Sequence, residues 1–241
     1  MKDNPLGQFA IKTLYPITLN GHDISFTNAS MFMAIAVIIV TSFFILAIRK
    51  SELIPGRFQS FAESIYNFTL MTLDENTHGK GQQFFPFIFS LFMFIVALNL
   101  LGNAPYGFSV TSQLIVTSTF AFVVFCLVTI TGFVKHGFKF LSLFLPEGTP
   151  IFMAPLIVVL EIFAYFVRPV ALSIRLGANM IAGHILIGVI VGFITLMGIW
   201  GFLPISFIVL FNGFEIFVAI LQAYIFTILT CVYLNDAINL H

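Results

Sequence analysis

Three charged side chains stand at seven-residue intervals in a region that is otherwise almost wholly apolar: Glu161, Arg168 and Arg175. Beyond Arg175 the chain carries no Asp, Glu, Lys or Arg until Glu215. A guanidinium keeps its proton at any ordinary pH. Arg175 is therefore a permanent cation placed where charge costs ~2.5–3.5 kcal/mol even on the mildest scales for a helix centre. That cost calls for a recurring anionic partner. His184 and Glu215 supply complementary chemistry: imidazole titrates near neutrality, and a carboxyl group exchanges protons, so a path containing both suits a proton relay. A fixed cation in that path repels a proton or hydronium and acts as a barrier. It still attracts a deprotonated carboxylate on a moving partner helix. These residue types imply two aqueous half-paths separated by a cation.

Spacing then says what must position them. Seven steps of 100° return to within ~20° of the same direction, so Glu161, Arg168 and Arg175 share one face of a helix. Ala171, Ala178, Asn179 and Ala182 fall near that stripe, and small residues let another helix approach closely. On a second apolar segment Glu215 and Gln222 are also seven apart. Gly198-Ile199-Trp200-Gly201, followed by Pro204, reads as the turn between two long helical arms, 151–197 and 204–235. Folded about that turn, Arg175 with Gln222, His184 with Glu215, and Glu161 with Asp236 have midpoints of 198.5, 199.5 and 198.5. In antiparallel helices of similar pitch these pairs lie at matching depths, although contact depends on rotation and tilt. As one continuous helix the first arm would reach ~70 Å, over twice a hydrocarbon core of ~30 Å. It is expected to be broken or strongly tilted, with Pro155 and Pro169 permitting bends.

Plainer roles compete for some of these residues. Asn179 and Gln222 suit interhelical hydrogen bonding, His184 a packed histidine, Arg168 a partner for Glu161, and Asp236 a solvated helix end. A zinc site on His184 and Glu215 lacks further ligands, and the isolated Cys126 and Cys231 make neither a metal site nor a disulfide framework. No metal and no cofactor are expected. Gly79-Lys80-Gly81 lacks the rest of a phosphate-binding loop, so neither nucleotide nor, at zero net charge, nucleic acid is expected as a ligand.

Composition fixes the solvent. Of 241 residues 59% are hydrophobic and 8% charged, against roughly 25% charge in a soluble domain. Segments 31–48, 84–101 and 112–134 each run 18 residues or more without a charge, enough to cross a bilayer. Spans in lipid must be helices, because backbone groups have to be satisfied within the segment. The expected fold is an all-α integral membrane protein forming a single domain over 1–241, with about five transmembrane helices and a long tilted C-terminal hairpin. Segment 57–75 differs. Phe58, Phe61, Ile65 and Phe68 repeat at helical spacing opposite Gln59, Ser60, Glu63, Ser64 and Asn67, which predicts an interfacial amphipathic helix lying on the cytoplasmic surface of the membrane. Arg49, Lys50, Arg57 and Lys80 lie between the first two spans, and Lys135 and Lys139 follow the third. The positive-inside rule places both connections in the cytoplasm, the N-terminus outside and the C-terminus inside. The first apolar run begins too deep for an ordinary secretory signal.

These features converge on one resemblance. Pro169-Val170-Ala171-Leu172-Ser173-Ile174-Arg175-Leu176, Asn179-Met180-Ile181-Ala182-Gly183-His184 and Leu221-Gln222-Ala223-Tyr224-Ile225-Phe226 resemble subunit a of the F-type ATP synthase, as do Asn99-Leu100-Leu101-Gly102 and Pro105. The resemblance covers most of the chain. Around Leu176-Gly177-Ala178-Asn179 the chain departs from the bacterial pattern of Phe-Gly before the Asn. The resemblance implies that Arg175 is the obligatory arginine facing the c-subunit ring. It also implies that His184 and Glu215 belong to the external half-channel, that Glu161 is the acidic group of the cytoplasmic one, and that Asn179 and Gln222 are polar neighbours of the arginine. Implied partners are the c ring, b-type peripheral stalk subunits, other ATP synthase subunits and the lipid bilayer. The implied location is a bacterial inner membrane, or alternatively the mitochondrial one. The chain itself is expected to be non-catalytic, with ATP chemistry on other subunits. A proton-coupled secondary transporter is the alternative; it would need a solute site and usually repeat symmetry, and the sequence displays neither. A purely structural membrane subunit would not need Arg175, His184 and Glu215 aligned about one turn.

Overall fold

The computed structural model describes residues 10–16, 18–19, 22–23, 25–49, 54–104, 107–145, 152–197 and 202–239. Six long helices dominate: α1 (Asn28–Ile48), α2 (Arg57–Thr77), α3 (Phe85–Gly102), α4 (Leu114–His136), α5 (Ala154–Met197) and α6 (Phe202–Ile238). All but α2 are long and apolar enough to cross a membrane. The all-α expectation holds apart from four short strands before α1, where β1 (Thr13–Tyr15) pairs with β4 (Phe26–Thr27) and β2 (Thr18–Leu19) with β3 (His22–Asp23), both antiparallel. Asn28 joins this ribbon to α1 by accepting from the Lys12 amide at 3.2 Å and donating to the Ala10 carbonyl at 3.3 Å.

The first hairpin arm is one continuous helix, not a broken one. α5 runs 44 residues with Pro169 inside it, ~66 Å at the helical rise. α6 adds 37 residues. The Gly198–Gly201 turn expected between them lies outside the described residues, as do Pro105 and residue 151. α6 packs against α2, α3, α4 and α5, and α5 against α4 and α6. The C-terminal half of α6 is the centre of the bundle: Ala223, Phe226, Cys231 and Leu234 are fully buried. Its N-terminal part is less covered. Among the described residues, the first buried position on α6 is Glu215 and the last on α5 is Met180.

Helix α2 leaves apolar as well as polar side chains exposed, with Glu63, Ser64 and Asn67 on its polar side. Phe58, Phe61 and Phe68 stay largely exposed, although Phe61 meets the Phe43 ring of α1 and Phe68 the rings of Phe92 of α3 and Tyr224 of α6, while Ala62, Thr69, Thr72, Leu73 and Thr77 are buried, with Leu73 in one apolar cluster with Cys231, Leu234 and Ile238 of α6. Two physical reasons permit this. An outward face that meets lipid favours apolar side chains. The buried threonine hydroxyls are satisfied within α2, donating to the carbonyls of Ile65, Phe68 and Leu73 at 2.8–2.9 Å.

Candidate proton-path residues on the α5–α6 hairpin

Arg175 projects from the exposed face of α5, together with Ala171, Ile174, Ala178, Asn179 and Ala182. It makes no hydrogen bond or ion pair with the described residues. The surface around it is built of small side chains, as the spacing predicts. On the opposite face Leu172, Ser173, Leu176, Gly177 and Met180 are buried. The helix thus carries an occupied back and a bare front, with the cation on the front.

Gln222 is buried on α6 and makes no hydrogen bond to Arg175. Its Oε1 accepts from Asn179 Nδ2 at 2.9 Å, one turn beyond the arginine. An amide pair made this way fixes the two arms against each other without spending a charge.

Toward the turn, Glu215 is buried and His184 half-buried. The Glu215 carboxyl lies against the backbone of Gly183, the residue before His184. A Cβ on Gly183 would collide with Glu215 Oε1 and sit 3.0 Å from its Cδ. Glycine at 183 therefore makes room for the carboxylate. Glu215 Oε1 has no hydrogen-bond partner among the described residues.

Toward the other end, the expected Glu161–Arg168 pairing is not formed. Arg168 Nη1 donates to Asp236 Oδ2 at 2.9 Å. Its guanidinium carbon lies 5.8 Å from the Tyr165 ring centre and 5.2 Å from that of Tyr233, within the range of cation–π attraction. Asp236 is accordingly half of an ion pair, not a solvated helix end. The seven-residue interval explains the difference: it puts Glu161 and Arg168 on one face but ~10 Å apart along the axis, while Asp236 comes from the facing arm. Glu161 is half-buried and has no ion pair among the described residues.

A further polar cluster lies where α3 ends. Asn99 Nδ2 donates to the Ala219 carbonyl of α6 at 3.0 Å, one turn from Glu215. Asn99 Oδ1, both side-chain heteroatoms of Asn103, Ser109 Oγ and Thr111 Oγ1 are buried without a hydrogen-bond partner among the described residues. Ser109 packs on Gly102, with its Oγ 3.1 Å from where a Cβ would stand. Phe108 and Val110 join the apolar cluster with Ala29 and Ala36 of α1. A charge count passes over this connection, because it holds no ion. Its signal was a run of amides and hydroxyls, Asn103, Ser109, Thr111 and Ser112, beside a membrane span.

Five helices long and apolar enough to cross a membrane define an all-α integral membrane protein, and its longest helix carries Arg175 on an exposed face of mostly small side chains. A family model described as ATP synthase A chain matches residues 30–235. The chain belongs to that family: it is a proton-channel subunit of an ATP synthase and assembles with other subunits of that enzyme.

Proposed function

We propose that this chain is the stator half of a rotary proton turbine, in which Arg175 divides two half-paths and faces the carboxylates of a c-subunit ring. The observation that carries this reading is the position of Arg175: a cation on the bare, small-residue face of α5, backed by a buried face that holds the helix in place. A proton enters from outside past His184 and Glu215 and neutralises a ring carboxylate, which then turns into lipid. The orphaned amides and hydroxyls around Asn99, Asn103, Ser109 and Thr111 support a hydrated outer route, since buried polar groups are ordinarily satisfied by protein or ordered water. After nearly a full turn the carboxyl meets the cytoplasmic path near Glu161 and releases its proton as it comes back to Arg175. Asn179 and Gln222 hold the arms in register beside the arginine. Each elementary charge contributes ~2.3 kcal/mol per 100 mV, so several protons are coupled to each ATP. The N-terminus is outside and the C-terminus cytoplasmic, b-type peripheral stalk subunits hold the chain still, and the membrane is a bacterial inner membrane.

The test is Arg175→Ala in membranes containing the assembled complex. Proton-driven ATP synthesis should be lost. Passive proton leak, measured after removal of the soluble catalytic sector, should rise. Undiminished synthesis sinks the role of Arg175. Glu215→Gln should slow conduction without preventing assembly, and normal conduction counts against the outer half-path.

A further inference from the structure

Arg175 is aimed by the side of α5 that it does not occupy. Ser173 and Gly177 lie two residues before and two after it, each ~160° around the helix at 100° per residue. Both are buried and both face the start of α4. Ser173 Oγ is 3.2 Å from Thr117 Oγ1 and 2.9 Å from Ser118 Oγ. A Cβ on Gly177 would lie 3.4 Å from Thr117 Oγ1 and 3.7 Å from the Thr111 carbonyl. The small residues at 173 and 177 let α5 come close enough to α4 for side-chain hydroxyls to meet.

The direction of these bonds follows from what each atom can do. Thr117 Oγ1 donates to the Leu114 carbonyl at 3.1 Å, and a carbonyl only accepts. With that proton committed, Thr117 Oγ1 accepts from Ser173, and Ser173 in turn accepts from Ser118. Each hydroxyl then donates once, and Ser173 and Thr117 each accept once, in a chain from Ser118 through Ser173 and Thr117 to the α4 backbone. A helical serine commonly bonds back to the carbonyl one turn earlier, but Ser173 bonds across to the neighbouring helix. Apolar packing alone resists rotation of a helix weakly, since one methyl replaces another. A hydroxyl seated between two partners has one setting.

We propose that Ser173 is a positioning residue for Arg175: its bonds to Thr117 and Ser118 fix the rotation of α5 about its axis and so point the guanidinium at the open face. This rests on the barrier role proposed for Arg175. The lever is large. A rotation of about 20° carries a group ~6 Å from the helix axis through ~2 Å, and displacements of ~1 Å at a reacting centre are worth up to ~100-fold in rate.

The experiment uses membranes with the assembled complex and scores every activity per complex. Ser173→Ala removes the middle of the chain. Thr117→Val removes one end at nearly constant shape, and Thr117→Ser keeps its hydroxyl. The first two should lower proton-driven synthesis ~10-fold and raise passive proton leak, while Thr117→Ser behaves as wild type. If Ser173 acts through Arg175, adding Ser173→Ala to Arg175→Ala leaves the leak where Arg175→Ala alone sets it. Wild-type synthesis and leak in Ser173→Ala and Thr117→Val overturn the proposal. So does a loss that merely tracks the amount of assembled complex, because that is a packing role. Additive leak in the double variant overturns it too, by showing a second route. Arg175→Ala with no change in leak instead refutes the barrier role itself, and the positioning claim falls with it.

Discussion

Gly183→Ala separates stability from proton transfer in one substitution. The added methyl would stand 3.0 Å from Glu215 Cδ and 3.5 Å from its Cγ, and would overlap Oε1. Comfortable contact between carbons begins near 3.5–4.0 Å, so the carboxyl group must retreat by ~0.5–1 Å. It is the free end of a flexible side chain, so the retreat costs about a rotamer distortion, ~0.5–1.5 kcal/mol. Replacing a helical glycine by alanine returns ~1 kcal/mol of helix propensity. The two nearly cancel, and the thermal stability and assembly of the complex should be close to wild type.

Conduction should not be. Proton transfer between fixed groups needs heavy atoms ~2.6–3.2 Å apart, and a displacement of ~1 Å is worth up to ~100-fold. We expect ATP-driven proton pumping in inverted vesicles, scored per complex, to fall ~10-fold or more. Glu215→Asp shortens the side chain by one methylene and should also slow pumping when glycine is retained. Combined with Gly183→Ala, the shorter acid leaves room for the methyl, and the pair should pump better than Gly183→Ala alone. Normal pumping in Gly183→Ala would refute the claim that this glycine seats the carboxylate. A double variant no better than Gly183→Ala would refute the steric explanation.

Two further predictions concern the scaffold. Asp236→Asn leaves the half-buried Arg168 without its anion and should lower the stability of the complex by ~1–3 kcal/mol. A double-mutant cycle with Arg168→Met, read by thermal inactivation, should return a coupling of ~1 kcal/mol, and additivity would show that the pair holds nothing together. Gly132→Ala drives a methyl into the fully buried Phe140 ring, where the Cζ would lie only 2.7 Å away. It should destabilise by ~1–3 kcal/mol, Phe140→Leu should relieve it, and an unchanged melting midpoint would count against tight packing between α4 and the Gly137–Phe144 segment.

What the sequence made legible is what depends on one helix at a time. Charge-free runs long enough to cross a bilayer announced α1, α3 and α4, and the seven-residue repeat placed Arg175 among small residues on one face, where α5 exposes it. What it left dark depends on two helices at once. The phenylalanines of α2 mark an apolar face, but which of them meet protein is decided by α1, α3 and α6. Ser173 reads as one polar residue in an apolar run until α4 brings Thr117 and Ser118 to it. Asn103, Ser109 and Thr111 carry no charge and no period, so their clustering appears only when the connection folds back on Gly102.

The hairpin arithmetic shows the same divide in numbers. Near the turn it works: Gly183, next to His184, meets Glu215, a midpoint of 199. Deeper in, Asn179 meets Gln222, a midpoint of 200.5, and Arg168 meets Asp236, a midpoint of 202. Between the first and last contacts α5 advances 15 residues and α6 advances 21. The mismatch of about six residues is ~9 Å of helix, more than equal pitch allows and within what a long Arg side chain and unequal tilt together absorb. The slip matters for charge. Reckoned from the Gly183–Glu215 contact, Asp236 falls opposite residue 162, beside Glu161, which would set two carboxyl groups near each other. The slip brings Arg168 to Asp236 instead, and the two neutralise each other. The polar stripe of α5 is then reduced to one unpaired anion and one unpaired cation among the described residues, Glu161 and Arg175. Fourteen residues separate them, ~21 Å along the helix. Under the proposed reading, in a hydrocarbon core ~30 Å thick, that span would set the length of the inner half-path, and Arg168 could stand within it without acting as a second barrier because Asp236 cancels its charge.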